Sequence, residues 1–528
     1  MYQSFIGLEV HIHLKTARKV FCSCRAAFGD EPNTNICPIC TGQPGVLPEL
    51  NPEALWMGGL VARALNCRIP NRTWFERKQY FYPDMPKNYQ ISQFASPLGQ
   101  EGYLDIDVGG KSKRIRIKEC HLEEDAGKMI HAGNVSLIDY NRAGTALLEI
   151  VTQPDMETGE EAEEFIQSLR RLVRYLGVCD GNMEEGSLRA DANVSVNRQG
   201  AGLGKKVEIK NLNSSRFVRL ALDYEIERQK ALLEEGKPVR QETRLWNENR
   251  DQTEPMRSKE NAQDYRYFPE PDIPPITFDE EFYRSLEDAL IESPRDRRMR
   301  LQKEWGLSFE QADFITQERA LAEYYEQAVG AIQAVFDPSG EKKGTIPFVP
   351  PQEDQPQRKG EVVPSPALTT ANLARRIALW LSSDVKRIIN RDGVAVEDLS
   401  HWALTPARLA QLVYLVADEK VSTKNAKETL ELVVKEDRDP LEIIQEKGWE
   451  RIKDRSRIRS YVEQVFTHEG ATVQDARDAQ RAENRKRYET LVAYLVGKVL
   501  AASGGRCDGT LTKEEVERCL QEDGSCVS

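Results

Sequence analysis

Phe5-Ile6-Gly7-Leu8-Glu9-Val10-His11-Ile12 decides how the first half of the chain reads. Apolar residues fall on the even positions from Ile6 to Ile12, while Glu9 and His11 fall between them. A two-residue period of this kind is that of a strand with one face buried, so Glu9 and His11 share the opposite face. The same alternation returns in Gly102-Tyr103-Leu104-Asp105-Ile106-Asp107-Val108 and in Lys206-Val207-Glu208-Ile209. Two helical patterns interrupt the strands. One begins near Glu160 and runs through Phe165, Leu169, Leu172, Val173 and Leu176; the other spans Phe217 to Leu233. The fold class is therefore α+β, with an antiparallel sheet domain over residues 1–290.

After Phe282 the spacing of apolar residues changes to three and four, through Leu286, Leu290, Leu321, Tyr325 and Ala328. This predicts an all-helical domain at 291–399. Its 337–369 segment, with Pro347, Pro350, Pro351, Pro356, Pro364 and Pro366, reads as an exposed insertion. Short amphipathic helices beyond Leu404-Thr405-Pro406 predict a small helical tail module at 400–528.

A chain of 528 residues, 40% hydrophobic and 30% charged, suits two to four globular domains. The sequence opens without a basic leader, and no apolar stretch reaches the roughly 18–20 residues of a membrane span. A cytoplasmic protein is expected. The net charge of −12 argues against non-specific coating of nucleic acid, so any RNA contact must be local. The best local patches are Arg451, Arg455 and Arg459, then Arg481, Arg485, Lys486 and Arg487.

Four of the ten cysteines form a CxC-x12-CxxC array: Cys22, Cys24, Cys37 and Cys40. Two closely spaced thiol pairs suit tetrahedral zinc at about 2.3 Å per sulfur, and four sulfurs leave no open position for water. The expectation is a structural Zn2+ site. Redox chemistry and unmetallated buried thiols are the alternatives.

Several ordered segments between residues 4 and 275 together resemble the B subunits of the tRNA-dependent amidotransferases. Among them are Ile6-Gly7-Leu8-Glu9-Val10-His11, Pro44-Gly45-Val46-Leu47-Pro48, Arg77-Lys78-Gln79-Tyr80-Phe81-Tyr82-Pro83-Asp84, His121-Leu122-Glu123-Glu124-Asp125-Ala126-Gly127, Gly181-Asn182-Met183-Glu184-Glu185-Gly186-Ser187 and Asp264-Tyr265-Arg266-Tyr267-Phe268-Pro269. Thr490 to Val499 is similar to the family's tail helix. The resemblance implies an α+β cradle with a kinase-like site, a helical domain and a tail that contacts tRNA. It further implies a heterotrimer with an amidase A subunit and a small C subunit. In such a complex ATP and Mg2+ serve to phosphorylate the side-chain carboxylate of Glu or Asp on a mischarged tRNA, and ammonia then displaces the phosphate.

The residues suit this chemistry in part. A carboxylate is inert to ammonia until activated, and phosphoryl transfer needs cations around the developing charge. Glu9, His11, Glu123, Glu124 and Glu149 offer metal ligands. By resemblance His11, Glu124 and Glu149 form the main magnesium group, with Glu9, Glu184 and Asp191 as candidates for a second ion. Lys78, Arg142 and Lys210 are the candidate phosphate or RNA contacts. No GxxxxGK[ST] loop is present, and Gly200-Ala201-Gly202-Leu203-Gly204 lacks its spacing, so ATP use rests on the resemblance. No serine-nucleophile motif accounts for glutamine hydrolysis, which points to a separate subunit. The competing readings are a zinc-stabilised RNA-binding scaffold without kinase activity and a self-contained metallohydrolase. Two features depart from the family pattern: the proline-rich segment, and His13, readable as an extra ligand or a surface strand residue.

Overall fold

The computed structural model describes residues 1–256, 264–334 and 368–522. Residues 337–367 of the expected insertion lie outside the described residues. The chain divides into two compact units, Met1–Asp296 and Arg297–Ser528.

In the first unit the strands run β1 (Tyr2–His13), β2 (Arg72–Thr73), β3 (Glu76–Gln79), β4 (Tyr89–Ser92), β5 (Gly99–Val108), β6 (Lys111–Glu124), β7 (Lys128–Ala132), β8 (Val135–Asp139) and β9 (Ala146–Thr152). They continue with β10 (Leu188–Arg198), β11 (Val207–Leu212), β12 (Glu242–Asn247), β13 (Gln252–Pro255), β14 (Phe268–Pro269) and β15 (Ile276–Thr277). Eight of them form one sheet, ordered β13-β12-β11-β10-β1-β9-β6-β5. β1 pairs antiparallel with β10 on one side and β9 on the other. One junction departs from the expected antiparallel pattern: β11 and β12 are parallel. Helix α3 explains it, because two parallel neighbours need a long crossover and α3 supplies one.

Helices α1 (Pro52–Ala64), α2 (Gly159–Tyr175), α3 (Ser215–Glu234) and α4 (Glu280–Ala289) complete this unit. Thr158 caps α2 by accepting from the Glu161 N–H, and Ser214 caps α3 by accepting from Phe217. Ala162, Phe165, Ile166, Leu169 and Val173 of α2 are buried at helical spacing and join Ile6, Leu8, Val10 and Ile12 of β1 in one core. Each of these side chains larger than alanine contributes roughly 1.5–3 kcal/mol when fully buried. A one-residue register slip of β1 would put Glu9 and His11 in that core, so the register that fixes the site is the one that hydrophobic burial selects.

The second unit is helical: α5 (Pro294–Trp305), α6 (Phe309–Ile315), α7 (Arg319–Gln333), α8 (Thr370–Trp380), α9 (Lys386–Asp392), α10 (Pro406–Ala417), α11 (Thr423–Glu436), α12 (Pro440–Lys447), α13 (Arg455–His468), α14 (Gly470–Arg481), α15 (Arg485–Ala502) and α16 (Gly509–Gln521). Two cores lie in it, one built from residues between Leu301 and Ile444, the other between Ile452 and Leu520. The change of core therefore falls near residue 450, not at the expected 400. Thr405 and Pro406 mark only the start of α10, as N-cap and first helical residue. Leu404 is fully buried, and its carbonyl accepts from the Tyr324 hydroxyl at 2.7 Å. No helix among the described residues is long and apolar enough to cross a membrane.

The first basic patch is engaged within this unit. Arg451 precedes α13 and pairs with Asp508, Arg455 pairs with Glu514, and Arg459 with Glu463 and Glu522. In the second patch Arg485 is nearly fully exposed and, among the described residues, pairs with Glu489 on the adjacent turn, while Arg487 pairs with Asp475.

Candidate active site

Strand pairing gathers the site. His11 lies across from Glu149 on β9, Glu149 lies across from His121 on β6, and Glu123 follows two residues on, so all four share the polar face. The His11 Nε2 is 3.7 Å from Oε1 of Glu123 and 3.7 Å from Oε1 of Glu149. One ligand atom from each of these three residues lies within 4.8 Å of the others. Two ligands of one ion at about 2.0–2.6 Å lie no more than about 5 Å apart, so the group fits a single divalent cation.

The electrostatics are those of a cation site. Burial, then the charges of Arg189, Lys78 and Lys210, push the His11 imidazole down to about 3, which leaves it neutral with a lone pair free to ligate. Burial and the neighbouring Glu123 carboxylate push Glu149 up to about 7. Burial raises Glu123 as well, although Lys78, His121 and the Ser92 hydroxyl, donating at 3.0 Å, hold it back. Two carboxylates this close, one buried and one half-buried, resist double ionisation, and a shared cation removes the conflict.

Glu124 is not in this group. Alternation puts it on the other side of β6 from Glu123, where it forms a buried pair with the Lys87 ammonium and accepts from the Ile91 N–H at 2.9 Å. It anchors the segment leading into β4, and Glu123 occupies the position first expected of Glu124. Glu9 lies directly across from Asp191 and accepts from the Asn193 amide at 2.9 Å. Asp191 in turn pairs with Lys210 at 2.7 Å, and Lys210, also 3.1 Å from Glu208, is held above its usual range despite burial. Glu184 does not join them; it lines a separate cavity of about 660 Å3 with Arg142 and Asn213.

A cavity of about 300 Å3 stands over the three-residue group, lined by His11, Lys78, Tyr80, Glu123, Asp125, Arg189, Asp191 and Tyr265. Lys78, on β3, sits 4.9 Å from the Tyr265 ring centroid. Burial opposes its charge, but Glu123 and Glu149 keep it above the usual lysine range. Of the three expected phosphate contacts, Lys78 alone lines this cavity. Arg142 instead donates to the Ala126 and Gly127 carbonyls at 3.0 and 2.9 Å. Asp125 is the hub of the cavity wall. It accepts from His13 at 2.7 Å and from Arg189 at 2.8 Å, with Arg142 at 3.3 Å. Burial would raise its carboxyl, yet Arg189, His13 and Arg142 hold it well below the carboxylate range. His13 is thus the partner of an aspartate, neither an extra ligand nor an idle surface residue.

The four cysteines form the second centre. Their sulfurs lie within 4.8 Å of one another, and Sγ of Cys37 and Cys40 are 3.9 Å apart. Tetrahedral ligands at about 2.3 Å lie about 3.8 Å apart, so the sulfurs fit zinc. A hydrogen bond from Cys22, then the Cys37 N–H and Lys19, bring the Cys40 thiol down to about 4 against the effect of burial, while the bond to Cys40 and burial push Cys22 up.

Residues 4–284 match the family model described as the GatB/GatE catalytic domain, and residues 367–520 match the one described as the GatB domain. The chain belongs to the family of amidotransferase B subunits. It is 40% identical to the B subunit of the aspartyl/glutamyl-tRNA(Asn/Gln) amidotransferase from Crocosphaera subtropica, over 98% of each chain. With the protein of the same name from Thermodesulfovibrio yellowstonii it shares 40% identity over 99% of this chain and all of the relative. With that of Gloeobacter violaceus the figure is 42%, covering 99% of this chain and 87% of the relative. Membership makes the chain a component of an aminoacyl-tRNA amidotransferase, a ligase, and the catalytic-domain match contains both centres.

Sequence reasoning counted Glu123 among the possible ligands but left it out of the main group in favour of Glu124, and it missed Arg189. The signal for Glu123 was present in Cys120-His121-Leu122-Glu123: with Cys120 and Leu122 in the core, His121 and Glu123 must face the other way. Arg189 carried no such signal, because its role depends on pairing β10 with β1.

Proposed function

We propose that the first unit activates the side-chain carboxylate of Glu-tRNA(Gln) or Asp-tRNA(Asn) with ATP, and that ammonia from a partner glutaminase converts the activated group to the amide. The observation that carries this reading is the group of buried Glu123 with half-buried His11 and Glu149 at a cavity whose other charged lining includes Lys78 and Arg189. A carboxylate oxygen of the substrate attacks the γ-phosphorus and ADP leaves. Ammonia then attacks the carbonyl carbon of the acyl phosphate, and inorganic phosphate departs with the bonding electrons. The two steps are chemically linked because phosphate is a far better leaving group than oxide.

His11, Glu123 and Glu149 would hold Mg2+, which when bound supplies positive charge to the phosphate oxygens. Lys78 brings a second positive charge to the same cavity, where low dielectric strengthens its effect on a transferring phosphoryl group. Arg189 is held in place by Asp125, itself fixed by His13, so the cation is oriented before substrate arrives. Glu9 and Asp191, adjacent on the same face, are the candidates for a second ion. There Lys210 already balances Asp191, so an ion would compete with an ammonium. The cysteine centre would hold structural Zn2+.

The reading entails a cytoplasmic heterotrimer with an amidase A subunit and a small C subunit. Mischarged tRNA would be held partly by the second unit, where exposed Arg485 is the best remaining contact. The test is phosphate release by the assembled complex with each mischarged tRNA. Release that depends on Glu-tRNA or Asp-tRNA and disappears in Glu123→Gln supports the reading; amide formation at full rate without ATP overturns it. A scaffold without kinase activity would release no phosphate under either condition.

A further inference from the structure

Lys19 follows β1 by six residues and is fully buried. Its Nζ donates to Cys40 Sγ at 3.6 Å and to the Tyr140 carbonyl at 3.1 Å, and neither partner is a carboxylate. Its backbone N–H donates to the Cys24 carbonyl at 2.9 Å, so the residue is part of the cysteine loop itself. Gly144, at φ +85°, closes over it: a Cβ there would stand 3.4 Å from Lys19 Cδ, 3.6 Å from Cys40 Cβ and 3.8 Å from Glu124 Oε2, a carboxylate already paired with the Lys87 ammonium. An ammonium taken out of water without an opposite charge is strongly unfavourable. Four thiolates on one divalent ion pose the reverse problem, since they carry a net charge of about −2.

We propose that Lys19 is the charge-balancing partner of the metal-bound thiolates, its ammonium offsetting the excess negative charge at Cys40 while tethering the cysteine loop to Tyr140. The inference rests on the zinc reading above. The hydrogen bond from the ammonium offsets the negative charge on Cys40 Sγ and holds that sulfur in place, which slows loss of the ion. The second hydrogen bond gives the loop a fixed neighbour. Tyr140 opens the turn that carries Arg142 toward Asp125 and passes Gly144, whose N–H donates to the Asp125 carbonyl at 2.9 Å. Lys19 is thereby a positioning residue between the cysteine centre and the wall of the active site.

The experiment uses the full-length protein, with zinc content by elemental mass spectrometry, zinc release to a chromogenic chelator, and the sulfur-to-cobalt charge-transfer band of the cobalt-substituted form. Lys19→Met is expected to release zinc roughly 10–100-fold faster and to shift the cobalt band, with Lys19→Arg between the two. Wild-type release and spectrum in Lys19→Met overturn the proposal while leaving zinc in place. Wild-type protein that neither contains nor takes up zinc overturns the zinc reading, and this proposal with it. Should Lys19→Met not fold, lysine acetylation footprinting of the wild type decides: Lys19 is expected to be protected when zinc-loaded and labelled after chelation, and equal labelling in both states refutes the pairing.

Discussion

The pair of Glu123 and Glu149 makes divalent-ion binding depend on pH in a calculable way. Without an ion Glu149 titrates at about 7, raised by burial and by Glu123. An ion between the carboxylates requires both to be ionised, so binding below that value must expel a proton. Protons compete, and the apparent dissociation constant rises by a factor of about 1 + 10^(pKa − pH): about 11 at pH 6, about 2 at pH 7 and about 1.1 at pH 8. Affinity for Mg2+ or Mn2+ should therefore improve about tenfold from pH 6 to pH 8, equivalent to about 1.4 kcal/mol. His11 adds nothing to this window, because it is already neutral throughout. Isothermal titration calorimetry of the metal-free protein, in buffers of differing ionisation enthalpy, reads both the affinity and the proton count. About 0.9 proton should leave per ion at pH 6 and about 0.1 at pH 8. Glu149→Gln should flatten the profile. An affinity independent of pH across this range in the wild type, with no proton released, would refute the shared-carboxylate site.

The two adjacent glutamates should separate cleanly. Glu123→Gln should remove tRNA-dependent phosphate release while leaving thermal stability equal or slightly higher, since it deletes a buried charge whose pKa is already raised; a matching loss of melting temperature would show that the role is structural. Glu124→Gln leaves the Lys87 ammonium buried without its partner and should cost about 3–5 kcal/mol in chemical denaturation, as breaking a buried ion pair does. Lys78→Met should lower kcat for ATP cleavage more than it raises KM for tRNA, measured by steady-state phosphate release, because the cation faces the reacting cavity. Replacing Arg485 and Arg487 by Glu should weaken tRNA binding and flatten its salt dependence in a filter-binding assay, and binding unchanged from the wild type at both low and physiological salt would exclude this face.

The sequence made β1 legible because a strand with one buried face writes its own period: Ile6, Leu8, Val10 and Ile12 against Glu9, His11 and His13. The helices α2 and α3 were equally plain, with caps at Thr158 and Ser214. What alternation within one strand cannot reveal is which strands become neighbours. Residues 11, 149 and 189 meet only through pairing across some 140–180 positions, so Arg189 and its hold on Asp125 were invisible. The Glu124 expectation followed the family motif and passed over the local alternation that singles out Glu123. Arg142 read as a free cation because nothing in its neighbourhood announces that two backbone carbonyls, Ala126 and Gly127, claim it. In the second unit helices were clear but their grouping was not, since Leu404 signals burial without saying which core receives it.

The position of β1 has a consequence for biogenesis. β1 lies in the middle of the sheet and is synthesised well before either neighbour, whose paired residues begin only at 147 and 188. At typical translation speeds of about 5–20 residues per second, an apolar ribbon with two open edges waits on the order of ten seconds for its first neighbour. Such a segment invites association with other nascent chains and favours shielding by chaperones. Slowing synthesis ahead of residue 147 should lower the soluble yield more than slowing it after residue 198.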